Sequence, residues 1–325
     1  MMSKKFTLAA IAGIGALVLA GCSNTSPVDP GEEAAGDEEI TNVGLMVQDI
    51  SNPFFASMQG AMEDLADDEG FTLNVQDGQQ DLGAQNNQID AMIQQGTDVI
   101  LINAVDSEGI GSAVKRATDA GITVVAVDVD AAGALAAVST DNVEAGRQAC
   151  TALGDKMGGK GNMLIVDGTP ITSVQERVEG CEEVLESDFP DIEVVGHQNG
   201  KNDRATGLDL TTQMLTANSD VQGIFGINDP TALGATLALE QADREGVWVV
   251  GVDGSPEAVE AMKDDSFPNS SFWATPAQHP NEMVAQAFDV AKDIRANGAP
   301  DEADRITLVN PTLVTRDDVS DYAGW

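Results

Sequence analysis

The chain has 325 residues, enough for two domains with cores of their own, and 42% of them are apolar, as in a globular protein. Lys and Arg number 16 against 54 Asp and Glu, a formal charge of −38, which argues against nucleic acid or an anionic membrane surface as partner. Such acidity fits a soluble exported protein or one from a saline habitat.

The first element is a processing signal. A basic start, MMSKK, leads into FTLAAIAGIGALVLA, an apolar run too short for a comfortable membrane span. LAGC follows at 19–22. Small residues before a cysteine, directly after the apolar run, resemble the lipobox of bacterial lipoproteins, in which the chain is cut before the cysteine and the cysteine is acylated. Residues 1–21 are therefore expected to be a lipoprotein signal peptide and Cys22 the lipidated residue, with an ordinary signal peptide as the alternative. Residues 22–39, largely SNTSPVDPGEEAAGDEE, are acidic and poor in side chains that pack, so a disordered tether is expected. No later segment is apolar enough to span a bilayer.

Strand-like and helix-like segments then alternate. Strands are expected at VGLMVQD, FTLNVQD, DVILIN, ITVVAVD, NMLIVDG, IEVVGHQ, GIFGIND and VWVVGVD. Helices lie between, as in PFFASMQGAMEDLADDEG with its period near 3.6. This is the pattern of an α/β fold with a parallel sheet covered on both faces. The pattern also repeats. Asn103, Gly121 and Asp128 stand at relative positions 0, 18 and 25, and Asn228, Gly246 and Asp253 stand at the same spacing. Two similar, doubly wound, Rossmann-like lobes are expected.

Buried strands that end in acids and amides need a reason, because a desolvated carboxylate is costly. Ligands of open α/β sheets bind beyond the carboxyl ends of the strands. Those ends carry Gln48, Asp49, Asn103, Asp128, Asp167, Asn228 and Asp253. Singly, each of them could cap the next helix; as a repeated set they predict a polar cleft between the lobes. Acids that accept, amides that donate and accept, and one arginine, Arg177, suit a ligand dense in hydroxyls. SNPFF stands where a phosphate-binding GxGxxG would be. Phe54 and Phe55 could face the C–H side of a sugar ring or pack in the core, with Pro53 at a first helical position. His197 and His279 have no metal-ligand spacing, and no G-x-S-x-G elbow occurs, so neither an enzyme nor a metal or other cofactor is expected. Cys150 and Cys181, on predicted helices flanking one strand, form a disulfide or remain two buried thiols.

Residues 40 to about 315 resemble the periplasmic binding proteins of sugar ABC transporters, of the ribose-binding type. SNPFF, ILINAVDS, VVAVD, STDN, TSVQERVEG, IFGINDPTALGA, VVGVDGSP and ATPAQHP carry the resemblance, in order. It implies the type I periplasmic binding protein fold, with three hinge crossovers near 139–142, 275–280 and 303–307. The lobes would then be 40–141 plus 277–304 and 142–276 plus 305–325. It implies a ligand site of Asn52, Phe54, Phe55, Asn103, Asp128, Arg177, Asn228, Asp253 and Gln278, with Gln48 and Asn202 beside them. Three positions depart from the ribose-binding pattern: Val129 stands for an arginine, Asn202 and Val252 for aromatics. The ligand is thus left open among a pentose, a hexose, a polyol such as inositol and a furanosyl signal of the autoinducer-2 kind. Trp273, just before the second crossover, either replaces a lost wall or packs in the core.

The resemblance implies an extracytoplasmic, lipid-anchored, monomeric binding protein. It would close its lobes on a small hydroxylated ligand and hand it to an ABC transporter permease. A sensor of the same fold is the alternative. The export signal and the lack of a DNA-binding headpiece count against a transcription regulator.

Overall fold

A computed structural model describes residues 39–322 and 324–325. The expected signal peptide, Cys22 and all of the expected tether but residue 39 lie outside the described residues. In chain order the first part runs β1 (Asn42–Val47), α1 (Pro53–Glu69), β2 (Thr72–Asp77), α2 (Leu82–Gln95), β3 (Val99–Ile102), α3 (Gly111–Asp119), β4 (Thr123–Val127) and β5 (Ala136–Thr140). The second runs α4 (Asn142–Met157), β6 (Lys160–Asp167), α5 (Thr172–Ser187), β7 (Asp191–Asn199), α6 (Arg204–Ala217), β8 (Gly223–Gly226), α7 (Asp229–Gln241), β9 (Trp248–Val250), α8 (Pro256–Lys263) and β10 (Phe272–Ala277). Then α9 (Pro280–Asn297) and β11 (Ile306–Val309) return to the first part, and β12 (Thr312–Thr315) to the second.

Two six-stranded sheets result, ordered β11-β5-β4-β3-β1-β2 and β12-β10-β9-β8-β6-β7. All named pairings are parallel except β12 with β10. Each sheet reverses its order beside its first strand, β1 or β6, which is where doubly wound sheets open a crevice. Central strands such as β3, β4 and β8 are buried along their whole length, as their unbroken apolar runs require.

The sequence repeat falls on equivalent elements. β3–α3–β4 in the first sheet corresponds to β8–α7–β9 in the second. Gly121 and Gly246, the shared middle members, have φ of +89° and +80°, a region where a Cβ would be strained. Each makes the left-handed turn from a helix into the next strand.

Four strands go beyond the sequence expectation. β5 is alanine-rich, and β10 contains Pro276, which cannot donate to a ladder; the β10–β9 register shifts at that strand. β11 and β12 have four residues each. They also move a boundary. The third crossover, expected near 303–307, comes later, because Ile306–Val309 still pairs with β5 and the chain changes sheet only at 310–311. The first lobe therefore extends to residue 309, not 304.

Cys150 of α4 and Cys181 of α5 are joined, Sγ to Sγ, in the structure. The two helices pack backbone to backbone: a Cβ on Gly146 would fall 2.0 Å from the Arg177 carbonyl oxygen, and one on Gly180 would fall 1.9 Å from that of Val143. This close approach places Arg177 against the first crossover. Trp273 is not a cleft residue. It stacks edge-on with Trp248, ring centroids 6.1 Å apart, and Lys156 lies over both rings.

Candidate functional site

The carboxyl ends of both sheets face one polar cleft, whose cavity has a volume of about 40 Å³. The first lobe contributes Gln48, Asn52, Phe54, Phe55 and Asp128; the second contributes Arg177, Asn202, Asn228 and Asp253; Gln278 comes from the second crossover. Thr172 ties the lobes behind the cleft, its hydroxyl accepting from the Asp130 N–H at 3.0 Å and its N–H donating to Ser107 Oγ at 3.4 Å.

Asp128 leaves the end of β4 with φ +69°, and Asp253 follows β9 with φ +141°. Both angles are unusual for a residue with a side chain and turn the carboxylates out of the sheets. Asn103 Nδ2 donates to Asp128 Oδ2 at 2.8 Å. Gln278 Nε2 donates to Asp253 Oδ1 at 2.8 Å, and Gln278 Oε1 accepts from Thr140 Oγ1 at 2.7 Å. Gln278 thus links the second crossover to Thr140 of the first and also holds the Asp253 carboxylate. Arg177 is buried: Nε donates to Asn142 Oδ1 at 2.9 Å, Nη1 to the Ile227 carbonyl at 3.1 Å, and Nη1 lies 3.7 Å from Asp253 Oδ1.

Burial raises the pKa of both aspartates to about 6. The Arg177 guanidinium pulls each back down, as do the Asn103 amide for Asp128 and the Gln278 amide for Asp253. Beneath Asp253 lies Asp229, buried, accepting from Thr275 Oγ1 at 2.7 Å and the Ser255 N–H at 2.7 Å. Burial and then the Asp253 charge push its carboxyl well above the usual range.

Asn52 and Asn228 act as helix caps while also lining the cavity: Asn52 Oδ1 accepts from the Phe54 N–H at 3.0 Å and Asn228 Oδ1 from the Thr231 N–H at 3.0 Å. The Asn202 amide donates to Thr169 Oγ1 at 2.9 Å, with φ +61°. Phe54 and Phe55 satisfy both sequence readings, packing in the first lobe's core and facing the cavity. Asn103 does not line the cavity; it is buried behind Asp128 and orients it. Val129 and Val252 are core residues. Asp167 is occupied elsewhere, by the Gly168 N–H and His197.

Sequence reasoning did not single out Gln80, Ser173, Ile171 and Val174 around the cavity, or Asn142 behind Arg177. Asn142 stands in STDN, which marks the first crossover, so its position was legible although its role was not. Among the described residues no group of His, Cys, Asp and Glu is placed to hold a metal ion, and no helix is long and apolar enough to cross a membrane.

Comparison with known proteins agrees with this fold. A family model described as a periplasmic binding protein domain matches residues 43–299. The ribose import binding protein RbsB of Bacillus subtilis is 30% identical, over 89% of this chain and 93% of its own. A xylitol-binding protein of Mycolicibacterium smegmatis is 30% identical, over 87% of this chain and 82% of its own. Among solved structures, an ABC transporter solute-binding protein from Bacillus halodurans with bound myo-inositol superposes with a TM-score of 0.79 at 27% identity, covering 89% of this chain and 99% of that one.

Proposed function

Because the chain belongs to the periplasmic binding protein family, we propose that it captures one small polyhydroxylated molecule, a monosaccharide or an acyclic or cyclic polyol, in this cleft. Capture by lobe closure would precede delivery to an ABC transporter permease outside the cytoplasm. The observation that carries the reading is the convergence of Asp128, Asp253 and Arg177, one acid from each lobe with a buried guanidinium between them, on one cleft between the lobes. Acids accept from hydroxyls and Arg177 donates to hydroxyl or ring oxygens, so a ring bearing hydroxyls on several carbons satisfies both. Import is preferred to sensing because the curated relatives include an import binding protein. Action as a monomer is part of the same proposal; light scattering reads the mass.

The test is a thermal-shift panel on the chain from residue 40, with D-ribose, other pentoses, hexoses, xylitol, myo-inositol, autoinducer-2 and amino acids. Saturation at ~100 times the dissociation constant adds about 2.7 kcal/mol, a plain rise in melting temperature. One sugar or polyol is expected to give it. A shift with amino acids alone would overturn the reading.

Affinity for that sugar is expected to fall as pH drops below about 6, where Asp128 and Asp253 take up protons. Their ionised forms accept ligand hydroxyls, so the proton competes with the ligand. Affinity is then level above pH 7 and loses up to roughly tenfold per group by pH 5. Titration calorimetry across pH 5–8 checks this; affinity constant down to pH 5 would mean that neither acid receives the ligand.

The lipid anchor is part of the same proposal and rests on LAGC at 19–22. The full chain expressed in bacteria is expected to incorporate labelled palmitate, and Cys22→Ser to lose it.

A further inference from the structure

After β12 the chain stays on the second lobe. Val319 is buried in that lobe's core and Tyr322 packs on it. Gly324 lies against the start of α8, where an added Cβ would come within 3.3 Å of Pro256 Cα. Trp325 then departs from the second lobe. Its ring packs on the core of the first lobe, edge to face with Phe54 at 5.7 Å between centroids. Its indole Nε1 donates to the Asp253 carbonyl, on the second lobe, at 2.7 Å. Beside it lies an outer cavity of about 350 Å³ that shares Asn52, Gln80, Asn202 and Asp253 with the inner one. One side chain thus touches a ring from one lobe and a carbonyl from the other, both belonging to residues that line the cavity.

We propose that Trp325 is a positioning residue for ligand capture, one that joins the lobes at the mouth of the cleft and slows escape of the bound molecule. The inference rests on the reading of the cleft as a sugar or polyol site. Asp253 is where the effect concentrates. Its φ of +141° is held by its own N–H on the Pro276 carbonyl at 3.0 Å and by its carbonyl, which accepts from both the Gln278 N–H at 2.8 Å and the indole. Without the indole, a turn that aims the carboxylate into the cavity loses one of its three hydrogen-bonded restraints. Phe54 loses the ring that backs it at the same moment. Opening the lobes must break one contact of Trp325 or the other, because they lie on different lobes.

The experiment compares Trp325→Ala and Trp325→Phe with wild type, using D-ribose, xylitol and myo-inositol as probes. For whichever probe binds, Trp325→Ala is expected to weaken affinity roughly tenfold, carried by faster dissociation. Trp325→Phe keeps the ring against Phe54 and recovers part of that loss. The melting temperature of the ligand-free protein stays at the wild-type value. Wild-type affinity and dissociation in Trp325→Ala would overturn the proposal. So would a ligand-free melting temperature that falls in step with affinity, since that is general unfolding. Small-angle scattering of the ligand-free chains keeps the test separate from the choice of ligand: Trp325→Ala is expected to be more open than wild type. If no probe binds wild type, the functional reading fails for these probes, and an unchanged scattering profile would still overturn the role given to Trp325.

Discussion

Arg177→Met is expected to abolish sugar binding and to destabilise the protein by on the order of 3 kcal/mol at pH 8, with much of that loss recovered near pH 5. Arg177 is the cation that lowers both buried aspartates, Asp128 and Asp253. Methionine fills similar volume but leaves two buried carboxylates without a counter-charge and the Asn142 and Ile227 oxygens without their donor. The sign follows from linkage. Both aspartates already titrate near 6 in the folded chain, above the ordinary carboxylate value of 3.8, so their contribution to stability is greatest in acid and is lost as pH rises through 6. Removing Arg177 raises both values further. The added penalty is therefore largest where the carboxylates must be ionised, at pH 7–8, and smallest where both carry protons. Urea unfolding of the ligand-free proteins at pH 5 and pH 8 separates the causes. A deficit equal at the two pH values would assign the loss to packing along the α4–α5 contact rather than to charge.

The cleft was legible because the physics of a buried strand makes its ending conspicuous. An apolar run such as TVVAV has no structural use for a terminal carboxylate, and the same oddity recurs at Asp253 with the same spacing to an asparagine and a glycine. The repeat identified equivalent elements of two sheets before any pairing was known. What the pattern could not convey is depth. Asn103 and Asn228 occupy equivalent positions, yet one is sealed behind an aspartate and the other caps α7 at the cavity wall. That difference follows from where the next helix starts: α7 begins directly after Asn228, which caps it, whereas α3 begins only at Gly111 and leaves Asn103 free to bond Asp128. β11, ITLV, is half exposed and lacks the fully buried apolar run that marks β3 or β8, so the third crossover falls later than the sequence suggests. Trp325 was beyond reach for another reason: both its partners, Phe54 and Asp253, are more than 70 positions away and join it only when the lobes meet.

Asp253→Asn is expected to weaken sugar binding by roughly 10- to 100-fold, the loss of a charge-assisted hydrogen bond, while leaving the ligand-free protein as stable as wild type or more so at pH 8. Asparagine is the right replacement because it keeps the shape of the aspartate side chain at φ +141°, an angle the aspartate already adopts, so a change of backbone strain does not confuse the result. The binding loss arises because the amide keeps an acceptor but loses the charge that strengthens its bonds to hydroxyls. The stability gain has a separate source. Asp229 lies directly below, fully buried, and the Asp253 charge helps push its carboxyl upward. Neutralising Asp253 removes that repulsion, as well as the cost of a desolvated charge, at the expense of a 3.7 Å contact with Arg177. Function and stability are therefore expected to oppose each other at this residue, and such an opposition would mark an acid held in place for a ligand rather than for the fold. Calorimetric titration and thermal melting read the two effects independently. Wild-type affinity in Asp253→Asn would remove Asp253 from the ligand site. Weakened binding together with a clear loss of stability would make Asp253 a structural partner of Arg177 and leave Asp128 as the acid that receives the ligand.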